Sequence, residues 1–126
     1  MASDSNAPPV SEDRRLGRIE VSPEAVAAIA GREVLTCYGV VGLANRRLRD
    51  GIAELLHPGR HTRGVDVRVQ DDRIILDLYV IIEYGTRISE VARSIMSTVK
   101  YAVERALGVP VAEVNVNVQG LRKSDE

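Results

Sequence analysis

The stretch from Ile88 to Gln119, ISEVARSIMSTVKYAVERALGVPVAEVNVNVQ, contains the two clearest secondary-structure patterns in the chain. From Ile88 to Leu107, apolar residues recur at the i, i+3, i+4, i+7 spacing of one helical face. Gly108 stands where a left-handed C-cap would lie, and Pro110 prevents the helix from continuing. Valines then alternate with uncharged amides from Val114 to Gln119, which is the period of a strand buried on one face. The stretch therefore predicts a long amphipathic helix followed by a strand.

The residues upstream predict a second helix and a short strand. Residues 17–21 alternate polar and apolar side chains, as a strand does. Ser22-Pro23-Glu24 supplies an N-cap serine, a proline at the first helical position and an acidic first turn. The helix that starts there is expected to end near Tyr38-Gly39. The apolar residues 40–44 fit either an edge strand or a packed turn, and residues 48–56 predict a short helix.

A β-hairpin is predicted between these segments. Residues 65–70 and 74–82 alternate around Asp71-Asp72, which has the composition of a turn. The second strand carries apolar side chains on both faces, which is typical of a central, covered strand. The fold class that follows is α+β, a two-layer sandwich with a small mixed sheet of about three to five strands packed against two main helices. A ferredoxin-like β-α-β-β-α-β order is one candidate topology.

Composition predicts one domain and excludes several function classes. The chain has 126 residues; we expect a disordered tail at 1–15, one folded domain at 16–122 and a charged end at 123–126. With no Phe or Trp, four scattered Tyr and a formal net charge of −1, the chain offers little to a nucleic acid. The longest apolar run, Leu78–Ile82, is too short for a membrane span, and no signal peptide opens the chain, so we expect a cytoplasmic protein.

No catalytic, cofactor-binding or metal site is expected from the reactive side chains. His57 and His61 have a ligand-like spacing, but Pro58-Gly59 between them breaks any helix that would present both. Cys37, the single cysteine, is expected to be a small buried or half-buried side chain. Four carboxylates cluster in the hairpin, where they are expected to form its turn or to point to its outer face (Asp66, Asp71, Asp72 and Asp77).

Two segments remain as candidate interaction surfaces. The first is a basic segment, which is either a solvated face or a docking surface for an acidic or phosphate-bearing partner (Arg46, Arg47, Arg49, Arg60 and Arg63). The second is the amide row of the last strand, Asn115, Asn117 and Gln119. Uncharged amides on the outer face of a strand suit either solvent or a subunit contact.

The sequences of several segments resemble those of the alkaline shock protein family. The resemblance is carried by YGTRISEVA at 84–92, VK at 99–100 and VNVNVQG at 114–120, together with 19–24, 37–42, 51–55 and 63–65. It covers roughly 16–122, in the family's order, and is most similar to the YloU-like branch. No catalytic residues can be carried over, because the family has none established.

The resemblance implies a small cytoplasmic protein associated with alkaline and cell-envelope stress. It also implies assemblies, or indirect membrane association through a separate anchor protein. The first hypothesis is therefore a non-enzymatic interaction protein that acts by self-association or by docking to a partner. The alternative is a small-ligand or acyl-chain binding adaptor coupled to fatty-acid metabolism, with the ligand between helix and sheet.

Overall fold

The computed structural model describes residues 8–14, 16–44 and 64–123. Within them the elements follow in the order β1 (Val10–Arg14), β2 (Gly17–Val21), α1 (Pro23–Leu35), β3 (Val40–Leu43), β4 (Val65–Gln70), β5 (Arg73–Glu83), α2 (Ile88–Leu107) and β6 (Val111–Arg122). The α+β class and the mixed sheet packed against two helices are confirmed. Neither described helix combines the length and the apolarity that a membrane span needs.

Strand β5 is the centre of a four-stranded sheet. One of its edges pairs antiparallel with β4 along its first half and with β3 along its second half. Its other edge pairs in parallel with β6, after α2 has crossed over between the two strands. The central position explains why β5 is apolar on both faces, as the sequence predicts.

The core lies between the two helices and one face of this sheet. Side chains of α1 and α2 meet alternate residues of β4, β5 and the start of β6 in a single cluster. Its largest fully buried members are aliphatic (Ile74, Leu76, Leu78, Ile82, Ile95, Val26, Val34, Val67, Val80, Val99, Val103 and Val111). The chain thus builds its core without a single phenylalanine or tryptophan, as its composition predicts.

The helix and turn signals in the sequence act as predicted. The Ser22 hydroxyl accepts a hydrogen bond from the Ala25 N–H at 3.1 Å, which caps α1. Gly108 ends α2 in the left-handed conformation. Asp71 and Asp72 both have positive φ, which is the requirement of a two-residue type I′ hairpin turn, and Gln70 pairs with Arg73 across it.

Four details differ from the expectation or resolve an open choice. Strand β1 lies inside the segment for which the sequence predicts a disordered tail, and it pairs with β2 in a separate two-stranded sheet. Because β2 pairs with β1 and not with the main sheet, the candidate ferredoxin-like order is not the observed topology. Helix α1 ends at Leu35, before the expected end near Tyr38. The undecided residues 40–44 contain a strand, β3.

Candidate interaction surface

The amide row lies on the last strand, at the border of the four-stranded sheet. Register with β5 places Val116 opposite Leu78, whose side chain is in the core, and Asn115 opposite Asp77. The valines of β6 therefore face the helices, while Asn115 and Asn117 lie on the opposite face, which we call the outer face. The predicted alternation of the strand is confirmed.

On the outer face, Asp77 holds a small polar network together. Its Oδ2 accepts hydrogen bonds from Arg68 Nε and Nη2, both at 3.1 Å, and its Oδ1 accepts one from Asn115 Nδ2 at 2.9 Å. The Asp77 side chain is 17% exposed. A carboxylate with both oxygens engaged in this way orients its neighbours across three strands, and the arrangement acts as a structural tie.

The other carboxylates of the hairpin do not complete a site. Asp66 lies directly opposite Asp77 in the β4–β5 register and is buried. Asp71 and Asp72 are exposed in the turn, away from this pair. In the described ranges no group of three His, Cys, Asp or Glu residues is placed to hold a metal ion.

Asn117 is held by the backbone of β5. Its Nδ2 donates to the Leu78 carbonyl at 3.1 Å, while Asn115 Nδ2 also lies 3.4 Å from Glu113 Oε1. Both amide side chains therefore point towards β5 and away from the free edge of β6. Gln119 is exposed and lies at a bulge between the Val118 and Gly120 pairings with β5.

Strand β6 has one edge that no other strand covers in the part of the chain that the structure describes. Among the described strands it pairs with β5 alone, and its remaining edge, which we call the β6 edge, faces away from the sheet. Such an edge presents unpaired N–H and C=O groups that can pair with another chain. This property depends on sheet order, which the alternation of Val and Asn does not reveal.

Two side chains of α2 close the beginning of the β6 edge. Lys100 Nζ donates to the Val111 carbonyl at 2.9 Å, and the Val111 N–H donates to Glu104 Oε2 at 2.9 Å. Lys100 and Glu104 also form an ion pair at 3.5 Å. The Val111 N–H lowers the pKa of the Glu104 carboxyl, and Lys100 acts in the same direction. The backbone of Val111 is thereby satisfied within the chain.

A shallow groove of about 530 Å³ lies elsewhere, between α1 and α2. It is lined by Glu33, Thr98, Tyr101, Ala102, Arg105 and Ala106. Arg105 Nη1 donates to the Tyr101 hydroxyl at 2.8 Å, so these two polar groups are already paired.

Cys37 is half-buried, which confirms the prediction made for it. Burial raises the pKa of its thiol, and Glu33 adds to this against a hydrogen bond with Thr98.

Several of the sequence predictions fall outside the described residues. The basic segment lies in the undescribed range 45–63 (Arg46, Arg47, Arg49, Arg60 and Arg63), as do His57 and His61 and the predicted short helix at 48–56. The role of the basic segment as a docking surface stays a prediction.

Comparison with known proteins gives the chain a family. Residues 11–123 match the alkaline shock protein 23 family, which is described as having a cell envelope-related function. The uncharacterized protein YloU of Bacillus subtilis (strain 168) is 42% identical over 109 residues, covering 86% of this chain and 91% of that protein. The uncharacterized protein Spy1614 of Streptococcus pyogenes serotype M6 is 36% identical over 107 residues, with 84% and 88% covered.

A third relative, the uncharacterized protein YqhY of Bacillus subtilis (strain 168), is 29% identical over 113 residues and covers 88% of this chain and 82% of its own length. No solved structure matches the chain. The family match extends over nearly all of the described fold, including α2 and β6. The chain therefore belongs to the alkaline shock protein family, whose function is related to the cell envelope.

Proposed function

We propose that this protein is a non-enzymatic interaction protein in alkaline and cell-envelope stress homeostasis, which acts by self-association or by docking to a partner. The observation that carries the proposal is the β6 edge: a twelve-residue strand, Val111–Arg122, with one side left unpaired among the described residues. Backbone groups on a sheet edge supply binding energy to any strand that aligns with them, and side chains then select the partner.

The polar groups next to the β6 edge support binding over catalysis. Catalysis by a carboxylate needs a group that is free to exchange a proton with a substrate in a cleft. Asp77 instead has both oxygens occupied by Arg68 and Asn115 on a sheet face. Polar side chains that are paired with one another on a sheet face suit recognition of another surface.

The acyl-chain alternative requires space between the helices and the sheet. Val26, Ile95 and Val99 on the helices, and Leu76, Leu78 and Val80 on β5, each expose 0% of their surface. A tunnel next to these side chains would leave part of their surface accessible. An acyl chain could enter this layer only after α2 had moved away from the sheet, at the cost of the buried aliphatic contacts.

Native mass spectrometry of gently purified protein separates the two functions. We expect masses that are multiples of the 13.8 kDa chain, or a complex with a copurified protein, without an added lipid mass. A stoichiometric lipid adduct on a monomer would contradict the proposal and support the alternative. Light scattering at several protein concentrations gives the association constant that the mass spectra cannot supply.

The basic segment gives a separate test of docking to a partner. Replacing Arg46, Arg47 and Arg49 together with Glu should abolish capture of a native partner from the host, because guanidinium groups that pair with carboxylates or phosphates are reversed in charge. Thermal stability should stay within about 1 kcal/mol, as is usual for surface substitutions. Unchanged capture would remove this segment from the proposal. Association with a membrane through an anchor protein, and a cytoplasmic location, are parts of the same proposal.

A further inference from the structure

We propose that β6 pairs antiparallel with β6 of a second copy of this chain. The two copies are related by a two-fold axis that is perpendicular to the sheet and lies midway between the two copies of Val116. The inference rests on the proposed self-association and names its surface and its register. It joins the two four-stranded sheets into one continuous sheet, with the helices of both copies on the same face.

Features of the chain limit the usable part of the β6 edge to residues 113–119, with Gln119 at the bulge that ends it. At the start, Lys100 and Glu104 occupy the carbonyl and the N–H of Val111. Irregularities in the β5–β6 register follow, one between the Val111 and Glu113 pairings and one between the Val118 and Gly120 pairings. Bulges and occupied backbone groups are ways in which proteins protect a sheet edge. Here they protect the ends of β6 and, among the residues that the structure describes, leave its middle open.

The open segment has no lysine or proline and a single charged side chain, Glu113. Residues 113–119 read EVNVNVQ, with no Lys, Arg, Pro or Gly. Lysine, proline and inward-pointing charges are the usual guards of a lone edge strand, while valine has a high strand propensity. The segment is regular from residue 113 to residue 118, carries no lysine or proline, and lies between two protected ends, which indicates that pairing is selected at this place.

Self-pairing fixes the register, because opposed residues on antiparallel strands point to the same face. Core-facing side chains of the two copies therefore lie on the same face only when one residue of β6 is opposite its own copy across the two-fold axis. An axis at Val116 pairs every valine of the segment with a valine, since Val116 meets its own copy and Val114 meets Val118. It also pairs Asn115 with Asn117 and brings Glu113 opposite Gln119 at the bulge. An axis at Asn115 would place Val118 opposite Ala112, at the first irregularity, and an axis at Asn117 would place Val114 opposite Gly120, beyond the bulge. The single charged residue, Glu113, meets a neutral amide in this register, so no like charges face each other.

Apolar surface on the helix side adds to the backbone pairing. Val116 and Val118 are only half-buried at the edge of the core. Met96 lies one helical turn before Lys100, the residue that contacts β6, and its side chain is 41% exposed. The two-fold axis brings these three residues of each copy to one seam, where pairing removes their exposed surface from water. A second copy thus supplies a matching valine edge and a matching methionine.

The register can be read by disulfide formation between full-length variants in a Cys37→Ser background. Asn115→Cys and Asn117→Cys are prepared separately, mixed, and oxidised under mild conditions. We expect the mixture to form a covalent dimer at least about tenfold faster than either variant alone, because opposed Cβ atoms lie within disulfide reach only across the 115–117 pair. Equal rates in the mixture and in either single variant would overturn the register.

Charge substitutions at exposed Gln119 measure the same pairing at equilibrium. Gln119→Glu places a negative charge opposite Glu113 of the second copy, and Gln119→Lys places a positive charge there. We expect dimer dissociation constants that differ by at least about threefold, in that order, with the difference reduced by salt. Ser94→Lys and Ser94→Glu, on exposed α2, are the matched controls and should not differ.

The outcomes separate this inference from the proposed function. Dimers that are insensitive to Gln119 and show no preference in cross-linking mean that self-association uses another surface, which overturns only the inference. A chain that stays monomeric by light scattering at about 100 μM, well above the dissociation constants of stable dimers, overturns the inference and the self-association part of the proposed function together. Docking to a different partner is then the part of the proposed function that remains.

Discussion

Gly39 is the residue at which the packing of the loop after α1 is most restrictive. Its φ is +88°, and an added Cβ would lie 2.9 Å from Val91 Cγ2 on α2. Valine has a nearly fixed rotamer in a helix, so it cannot turn away at low cost. This glycine therefore allows the loop before β3 to approach the first turns of α2, which places the helix over the sheet.

Gly39→Ala should lower the free energy of unfolding by about 2–3 kcal/mol, from backbone strain and from the contact with Val91. The control is Gly85→Ala, where φ is +98° but no atom lies within 4 Å of the added Cβ. It should show the strain alone, about 1 kcal/mol. Urea denaturation of both variants gives the difference, and equal losses would show that the approach to Val91 is not restrictive.

Single residues also show what local sequence can and cannot predict about the surface. Asp71 and Asp72 form the predicted turn because aspartate tolerates positive φ and the turn depends on neighbouring residues alone. The tie between Asp77 and Asn115 joins residues 38 positions apart. It depends on β5 and β6 lying side by side, which alternation along either strand does not specify.

At the scale of elements, the contact between α2 and β6 predicts a pH dependence of stability. The Val111 N–H lowers the pKa of Glu104 in the folded chain. The stabilisation is therefore fully present above the unfolded pKa of Glu, about 4.3, and is lost as the pH falls through the lower folded value. Glu104→Gln cannot carry the charge, so we expect its deficit relative to wild type to be largest near pH 7 and to shrink as the solution becomes more acidic.

Urea denaturation of both proteins between pH 7 and pH 3 measures this deficit. Repeating it in 0.5 M salt distinguishes the causes, because salt screens the exposed Lys100 ion pair but has little effect on the direct bond from Val111. A deficit that is independent of pH would show that the carboxylate charge contributes nothing at this contact.

The first and last residues of a helix or strand can be predicted from the sequence when a local signal, such as a cap, ends the element. Helix α2 runs between its predicted start and Gly108, because amphipathic period and a left-handed cap agree. Strand β6 runs past the predicted 114–119 to both sides, because pairing with β5 extends a strand beyond its alternating part. The open edge itself could not be predicted, since the neighbours of a strand are decided by the path of the whole chain.

For the whole molecule, the separation of the N-terminal hairpin from the main sheet is the largest departure from the expected topology. The alternation at 17–21 predicts strand β2 but not its partner, and β1 is rich in polar residues of a kind found in disordered segments. In β2 only Val21 is even half-buried. The hairpin therefore contributes little surface to the core, whereas α1 begins directly after it and is fully integrated.

A chain shortened to begin at Val21, after an initiating Met, should fold with nearly full stability. Among the hairpin side chains that the structure describes, only Val10 and Val21 pack against the core, and Leu16 and Ile19 are exposed. We expect the free energy of unfolding to fall by about 1 kcal/mol, with an unchanged circular dichroism signal from the helices. Ser22→Ala in the full chain is the reference, since loss of that N-cap costs about 1 kcal/mol as well. A loss above about 3 kcal/mol would show that the hairpin unfolds together with the helix–sheet body.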